Sequence, residues 1–303
     1  IQKLKEGPIG NLKMNLQKVK REMENIVLPK IFPLYNNLVH KPKNYLYFSN
    51  ERKLMRGRLK PKTDKKSVIC FTTHKCASTF LGRLLRIISE STGLVHVSMD
   101  PFLSGIGKNT AEYHKNKEFL DNVYKTKGFI YGPMRTFWDI PSIEDYKKIL
   151  ILRDPRDMLV SKYYSQAYTH KLISKQMITM RKKVRKQSID EFALEYVEKY
   201  VKVYEDYSNL IGKNTLFYRY EDMFFKPDDF LSEIETFLNF SFDDNTKKTL
   251  IDTELKLPQK ENKYSHRRSG KSGKYMEKLK PETVNKLNQM FHRTLKKLGW
   301  KYE

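Results

Sequence analysis

The run Ser67-Val-Ile-Cys-Phe-Thr-Thr73 constrains this chain more than any other feature. A short stretch of β-branched and aromatic residues reads as a buried strand. After a loop over 74–79, Phe80, Leu81, Leu84, Leu85, Ile87 and Ile88 recur at helical spacing. Leu94–Met99 and Gly128–Gly132 read as further strands, Lys148–Arg153 as the clearest strand of all, and Asn214–Tyr218 as another. Helices are predicted over Asp157–Thr169, from the capping box Ser188-Ile-Asp-Glu191 to about Leu210, over Asp228–Leu238, and from Pro281 to a stop at Gly299. Strands alternating with helices predict an α/β fold, a single domain with a roughly five-stranded parallel sheet flanked by helices on both faces. Ligands of such sheets bind at the carboxyl ends of the strands.

The 303 residues are 39% hydrophobic and include 17 Phe and 19 Tyr, enough for a real core, so disorder throughout is excluded. Residues 1–66 are basic and broken by Pro8, Pro29, Pro33, Pro42 and Pro61. They read as an extension packed on or covering the core, and residues 67–303 as the main domain. Cys70 and Cys76 are the only cysteines, too few for a disulfide scaffold, and no His/Cys cluster has metal-ligand spacing. No apolar run approaches the length of a membrane span, and no signal-peptide pattern opens the chain, so a cytoplasmic location is the expectation. Ile1 in place of Met leaves room for an upstream segment. The 59 Lys+Arg against 35 Asp+Glu give a formal charge of +24, which suits nucleic acid, an anionic membrane or an anionic small ligand. The basic run Met180–Gln187 reads first as a solvated helix face.

Three segments carry chemistry. Thr72-Thr-His-Lys-Cys-Ala-Ser-Thr-Phe80 is a strand-loop-helix in which small residues present backbone N–H groups at a helix N-terminus, where Lys75 reaches the same anion. It is no nucleotide P-loop, because the loop has no Gly and Lys75 precedes Ser78 by three residues. Arg153-Asp-Pro-Arg-Asp-Met-Leu-Val-Ser161 places an Arg at the end of the strongest strand and a Ser in the helix after it. The pair suits a second phosphate; the alternative is a salt bridge between Arg153 or Arg156 and Asp154 or Asp157. Arg268-Ser-Gly-Lys-Ser-Gly273 is a basic loop whose glycines allow close backbone approach.

In combination these segments resemble the sulfotransferases that use 3′-phosphoadenosine 5′-phosphosulfate (PAPS), over roughly residues 67–300. That family's Lys-Ser-Gly-Thr-Thr-Trp reads here Lys75-Cys76-Ala77-Ser78-Thr79-Phe80, its Arg and Ser eight residues apart are matched by Arg153 and Ser161, and its late Arg-Lys-Gly loop by Arg268, Ser269 and Gly270. Its Tyr-Glu-Asp recurs as Tyr220-Glu221-Asp222. The resemblance implies a P-loop-like nucleotide-binding architecture with PAPS as donor and no metal. Lys75 to Thr79 would hold the 5′-phosphosulfate end, Phe80 would offer adenine the aromatic face that a Trp often supplies, and Arg153, Ser161 and the Arg268 loop would hold the 3′-phosphate. It implies a sulfotransferase acting on a hydroxyl or amine of a small-molecule or carbohydrate acceptor, with no nucleic-acid partner and no integral membrane segment. Neither the acceptor nor the oligomeric state follows from it.

One family branch places a catalytic His after the third strand; here Ile130-Tyr-Gly-Pro-Met134 has none. A carbohydrate-acting branch uses a carboxylate near the end of the next strand, which points to Leu94-Val-His-Val-Ser-Met-Asp100. Strand alternation puts His96, Ser98 and Asp100 on one side. Asp100 is the first choice for the base, His96 the second, and His74 the third, since the adjacent Lys75 depresses its basicity. The rival readings are an ATP/Mg-dependent phosphoryl transferase with Asp154 as metal carboxylate, and a nucleic-acid-binding protein.

Overall fold

The computed structural model describes residues 46–170, 175–256 and 272–302. Five strands, β1 (Val68–Thr72), β2 (Val95–Val97), β3 (Phe129–Met134), β4 (Lys147–Leu152) and β5 (Thr215–Arg219), form one parallel sheet in the order β2-β3-β1-β4-β5. The alternation of β1 explains why both faces are covered. Ile69 and Phe71 enter one apolar cluster with Tyr131, Leu150 and Leu152, whereas Val68 and Cys70 enter the other with Ile130, Ile149 and Ile151. A sheet without a polar face must carry helices on both.

The helices follow in chain order: α1 (Ser49–Met55), α2 (Ser78–Thr92), α3 (Met99–Gly105), α4 (Thr110–Lys115), α5 (Lys117–Val123), α6 (Pro155–Tyr164) and α7 (Lys175–Arg185). Then come α8 (Ile189–Ser208), α9 (Tyr220–Phe225), α10 (Pro227–Leu238), α11 (Asp244–Thr249), α12 (Lys274–Lys278) and α13 (Pro281–Leu298). Leu81, Leu84, Leu85 and Ile88 of α2 pack with Phe230, Leu231 and Ile234 of α10 in one cluster. Met158 and Leu159 of α6, Val197 and Tyr204 of α8, and Leu287 and Phe291 of α13 build the other. Ser188 and Glu191 form the capping box of α8, and Gly299 ends α13 in the left-handed region (φ 75°).

Strand order reverses around β1, with β3 on one side and β4 on the other. The carboxyl edge of β1 and β4 is therefore where a ligand of this architecture is expected. The part of the N-terminal extension within the described residues packs onto the sheet's β2 end. Phe48 and Leu54 are buried there, and the buried Glu51 accepts the Ser98 N–H at 2.6 Å.

Two expectations need correction. β2 stops at Val97, with Ser98 at the start of α3, so Asp100 lies in a helical first turn and strand alternation does not place it beside His96. The basic helix α7 is not simply solvated. Arg181 is buried and donates to the Gln166 carbonyl at 3.2 Å and to that of His170, while Arg185 donates to the Ala167 carbonyl at 2.9 Å. Those carbonyls belong to the wide π turn Ser165–Thr169 that extends α6 and to the residue after it, His170.

Candidate functional site

The loop from β1 into α2 turns sharply. Lys75 and Ala77 adopt left-handed backbone angles, φ 67° and 53°. An L-residue in that region costs about 1–2 kcal/mol, so the conformation is imposed by surrounding contacts. The Thr72 hydroxyl donates to the Ile151 carbonyl at 2.9 Å, fastening the end of β1 to β4. The Thr73 hydroxyl and Cys76 sulfur lie 2.9 Å apart. Cys76 is fully buried with its thiol pushed up to about 11, chiefly by burial. Its side chain therefore faces inward. Ala77 caps α2 without a side-chain hydrogen bond, and no acid lies in the first turn. Ser78 and Thr79 thus open the helix with N–H groups and hydroxyls where an anion is stabilised. Phe80 is buried, its ring 6.5 Å from that of Phe230, so it belongs to the apolar cluster and does not stand clear as a stacking platform.

Arg153 follows β4 and is only 4% exposed. It donates to the Lys75 carbonyl at 3.4 Å, and its guanidinium lies 4.7 Å from the centre of the Tyr220 ring. Burial works against its charge, but Tyr220, Asp157 and Glu221 outweigh it and hold its pKa above the ordinary value. Its Nε is buried without a hydrogen-bond partner among the described residues. A buried guanidinium N–H without a partner is costly, and a phosphate oxygen is the natural acceptor for it. Ser161, half-buried, lies in the second turn of α6.

The neighbouring charges are already spoken for. Arg156 pairs with Asp154 at 2.6 Å and also donates to Asn288 and to the Lys301 carbonyl, both at 2.7 Å. Asp154 caps α6 as well, through the Arg156 N–H at 2.9 Å. The salt-bridge alternative therefore holds for Arg156 and leaves Arg153 outside it. Asp157 accepts the backbone N–H groups of Gly273 at 2.7 Å and Tyr275 at 2.9 Å. The exit of the glycine loop is thereby pinned to the helix that carries Ser161; Arg268, Ser269 and Gly270 themselves lie outside the described residues. Glu221 accepts the Asp154 N–H at 3.0 Å and the Trp300 indole at 3.2 Å, and burial pushes its carboxyl up to about 7.

Toward β3 the candidate bases separate. The His96 Nε2 lies 3.0 Å from the Gly132 carbonyl, so that nitrogen carries the proton, and burial lowers its pKa to about 4. His74 is pushed down to about 3 by burial and then by Lys162, Arg135, Lys199 and Lys75. Asp100 accepts the Trp138 indole at 3.1 and 3.2 Å on its two oxygens and lies 3.6 Å from His114 Nε2. His114 stacks on Trp138 at 4.3 Å, its Nδ1 faces the Thr110 carbonyl at 2.9 Å, and its Nε2 is 2.7 Å from the Tyr124 hydroxyl. Burial raises the Asp100 pKa and lowers that of His114. Arg135 acts on both Asp100 and His74, which links the carboxylate to the loop of Lys75.

Arg135, Lys162 and Lys199 were not singled out by the sequence. Register explains the first, since Phe71 of β1 pairs with Met134 of β3 and Arg135 is therefore level with Thr72. Lys162 follows Ser161 directly, a signal that was present in the sequence. Among the described residues no group of three or more His, Cys, Asp or Glu is placed to hold a metal ion, and no helix is long and apolar enough to cross a membrane.

A family model described as "Sulfotransferase domain" matches residues 65–299. No curated protein sequence matches the chain. Among solved structures, mouse sulfotransferase SULT7A1 complexed with PAP is similar at 16% identity and a TM-score of 0.52, covering 80% of this chain and 88% of that one. Retinol dehydratase in complex with androsterone and inactive cofactor PAP is similar at 14% identity and a TM-score of 0.52, covering 84% of this chain and 87% of that one. Both share the fold of this chain.

Proposed function

We propose, since the chain belongs to the PAPS-dependent sulfotransferase family, that it transfers a sulfuryl group from PAPS to a hydroxyl or amine of a small-molecule or carbohydrate acceptor. The observation that carries this reading is Arg153, a buried guanidinium whose Nε has no hydrogen-bond partner among the described residues and which is hydrogen-bonded to the backbone of Lys75. It supports two anion sites side by side. One is at Lys75, Cys76, Ala77, Ser78 and Thr79, and the other is at Arg153 and Ser161, with Tyr220 beneath the guanidinium. The loop of Arg268, Ser269 and Gly270 would close over the second site from its anchor on Asp157.

The reaction is an in-line displacement at sulfur. The acceptor oxygen or nitrogen forms a bond to sulfur, the bond from sulfur to the bridging oxygen breaks, and the electron pair leaves with the 5′-phosphate. Lys75 and the N–H groups opening α2 meet the negative charge that grows on that oxygen. Asp100 takes the proton from the acceptor. Its raised pKa strengthens it as a base, and Trp138 with His114 hold its orientation. His96 is the second choice, less suited because burial lowers its basicity.

The test supplies donor carrying labelled sulfur to a panel of phenols, sugars and amines. Label should move to an acceptor as adenosine 3′,5′-bisphosphate accumulates. Transfer of label from γ-labelled ATP with Mg²⁺, and none from PAPS, would overturn the reading.

A further inference from the structure

Lys75, Arg135, Lys162 and Lys199, carried by four different elements, all act on His74 in the loop after β1. Lys75 sits in the loop after β1. Arg135 follows β3, level with Thr72. Lys162 belongs to α6, and its ammonium lies 5.4 Å from the centre of the Tyr196 ring and 5.5 Å from that of Tyr200. Both rings belong to α8, which carries Lys199 next to Tyr200. Tyr204, one turn further on, donates to the Arg153 carbonyl at 2.6 Å and so fixes this face of α8 over the end of β4.

Among the described residues, Arg135, Lys162 and Lys199 form no ion pair or hydrogen bond with a carboxylate. Burial and then Lys199, Lys75 and Arg135 push Lys162 down to about 8. Asp100 offsets part of the charge of Arg135, but Trp138 and His114 occupy its oxygens.

The donor does not account for so much charge. Its transferring end is a singly charged phosphate joined to a singly charged sulfate, and Lys75 with the α2 N-terminus already faces that group. Like charges held together without counter-ions destabilise a fold, and they persist where a ligand neutralises them. We infer that Arg135, Lys162 and Lys199 form an anion subsite for the acceptor, which carries a carboxylate or ester sulfate close to the hydroxyl or amine that is sulfated. This rests on the sulfuryl-transfer reading and narrows it from any hydroxyl or amine to acidic acceptors.

The experiment compares acceptor pairs that differ only in charge: methyl glucuronide with methyl glucoside for the saccharide source, and N-acetyltyrosine with its amide for the phenolic one. Each is assayed with labelled PAPS, and each is also titrated onto the full chain saturated with adenosine 3′,5′-bisphosphate, so that binding is read without turnover. The acidic member of at least one pair should lead by about tenfold or more in kcat/KM or affinity. Arg135→Gln and Lys199→Gln should abolish that lead while affinity for the bisphosphate stays within about threefold of the parent. Which pair responds identifies the source of the anion. Equal behaviour of acidic and neutral members, with bisphosphate bound and sulfur transferred, overturns the subsite and leaves the reaction standing. Failure of the bisphosphate to bind overturns the reaction itself.

Discussion

In the proposed mechanism Lys75 faces charge that grows only as the sulfur–oxygen bond breaks, whereas Arg153 faces a phosphate that is charged throughout. Lys75→Ala is therefore expected to lower kcat by roughly 10²–10³-fold with modest loss of donor affinity. Arg153→Ala should weaken donor binding with a smaller effect on kcat. Steady-state kinetics with donor varied at saturating acceptor separates the two, and the reverse pattern would exchange the phosphate assignments. Asp100→Asn keeps one oxygen for Trp138 and removes the proposed base, so turnover should fall roughly 10²–10⁴-fold with donor binding intact. A variant within a few-fold of the parent would take Asp100 out of the mechanism. At this scale the sequence was informative about position: spacing alone put Lys75 in the loop after β1, Arg153 at the end of β4 and Ser161 in the helix that follows. It was silent where side-chain direction decides: the Cys76 and Phe80 side chains are buried in the fold.

Between elements, Glu221 joins the β5–α9 junction to the start of α6 and to Trp300 beyond α13. Its pKa is raised from 4.5 to about 7, so the folded chain binds this proton more tightly than the unfolded chain does. Stability should accordingly be greatest below about pH 4.5 as far as this group is concerned, fall as pH rises to about 7, and be flat beyond, a loss on the order of a few kcal/mol. Denaturant titrations across that interval should show the slope, and Glu221→Gln should flatten it; an unchanged slope would mean Glu221 is not its source. The alternation of strands and helices was legible from apolar runs and caps because both are local. The end of β2 at Val97 was not, because it depends on Glu51, a residue far off in sequence that takes the Ser98 N–H. Nor was the burial of Arg181, whose acceptors are carbonyls of the π turn after α6 and of His170.

For the whole molecule, a charge of +24 on 303 residues admits many anionic partners. The proposed reading narrows the choice to two anion sites at the carboxyl edge of one sheet, one at Lys75 and one at Arg153. A ligand that fills both must carry phosphates at both ends of a nucleoside. Thermal melting of the full chain with adenosine 3′,5′-bisphosphate, AMP and ATP tests this most directly. A ligand at about 100 times its Kd adds about 2.7 kcal/mol, roughly 5 °C or more for a domain of this size. The bisphosphate should produce that shift, with AMP and ATP well behind at equal concentration. Shifts from AMP as large as those from the bisphosphate would contradict the second phosphate site, and with it the assignment of PAPS as donor.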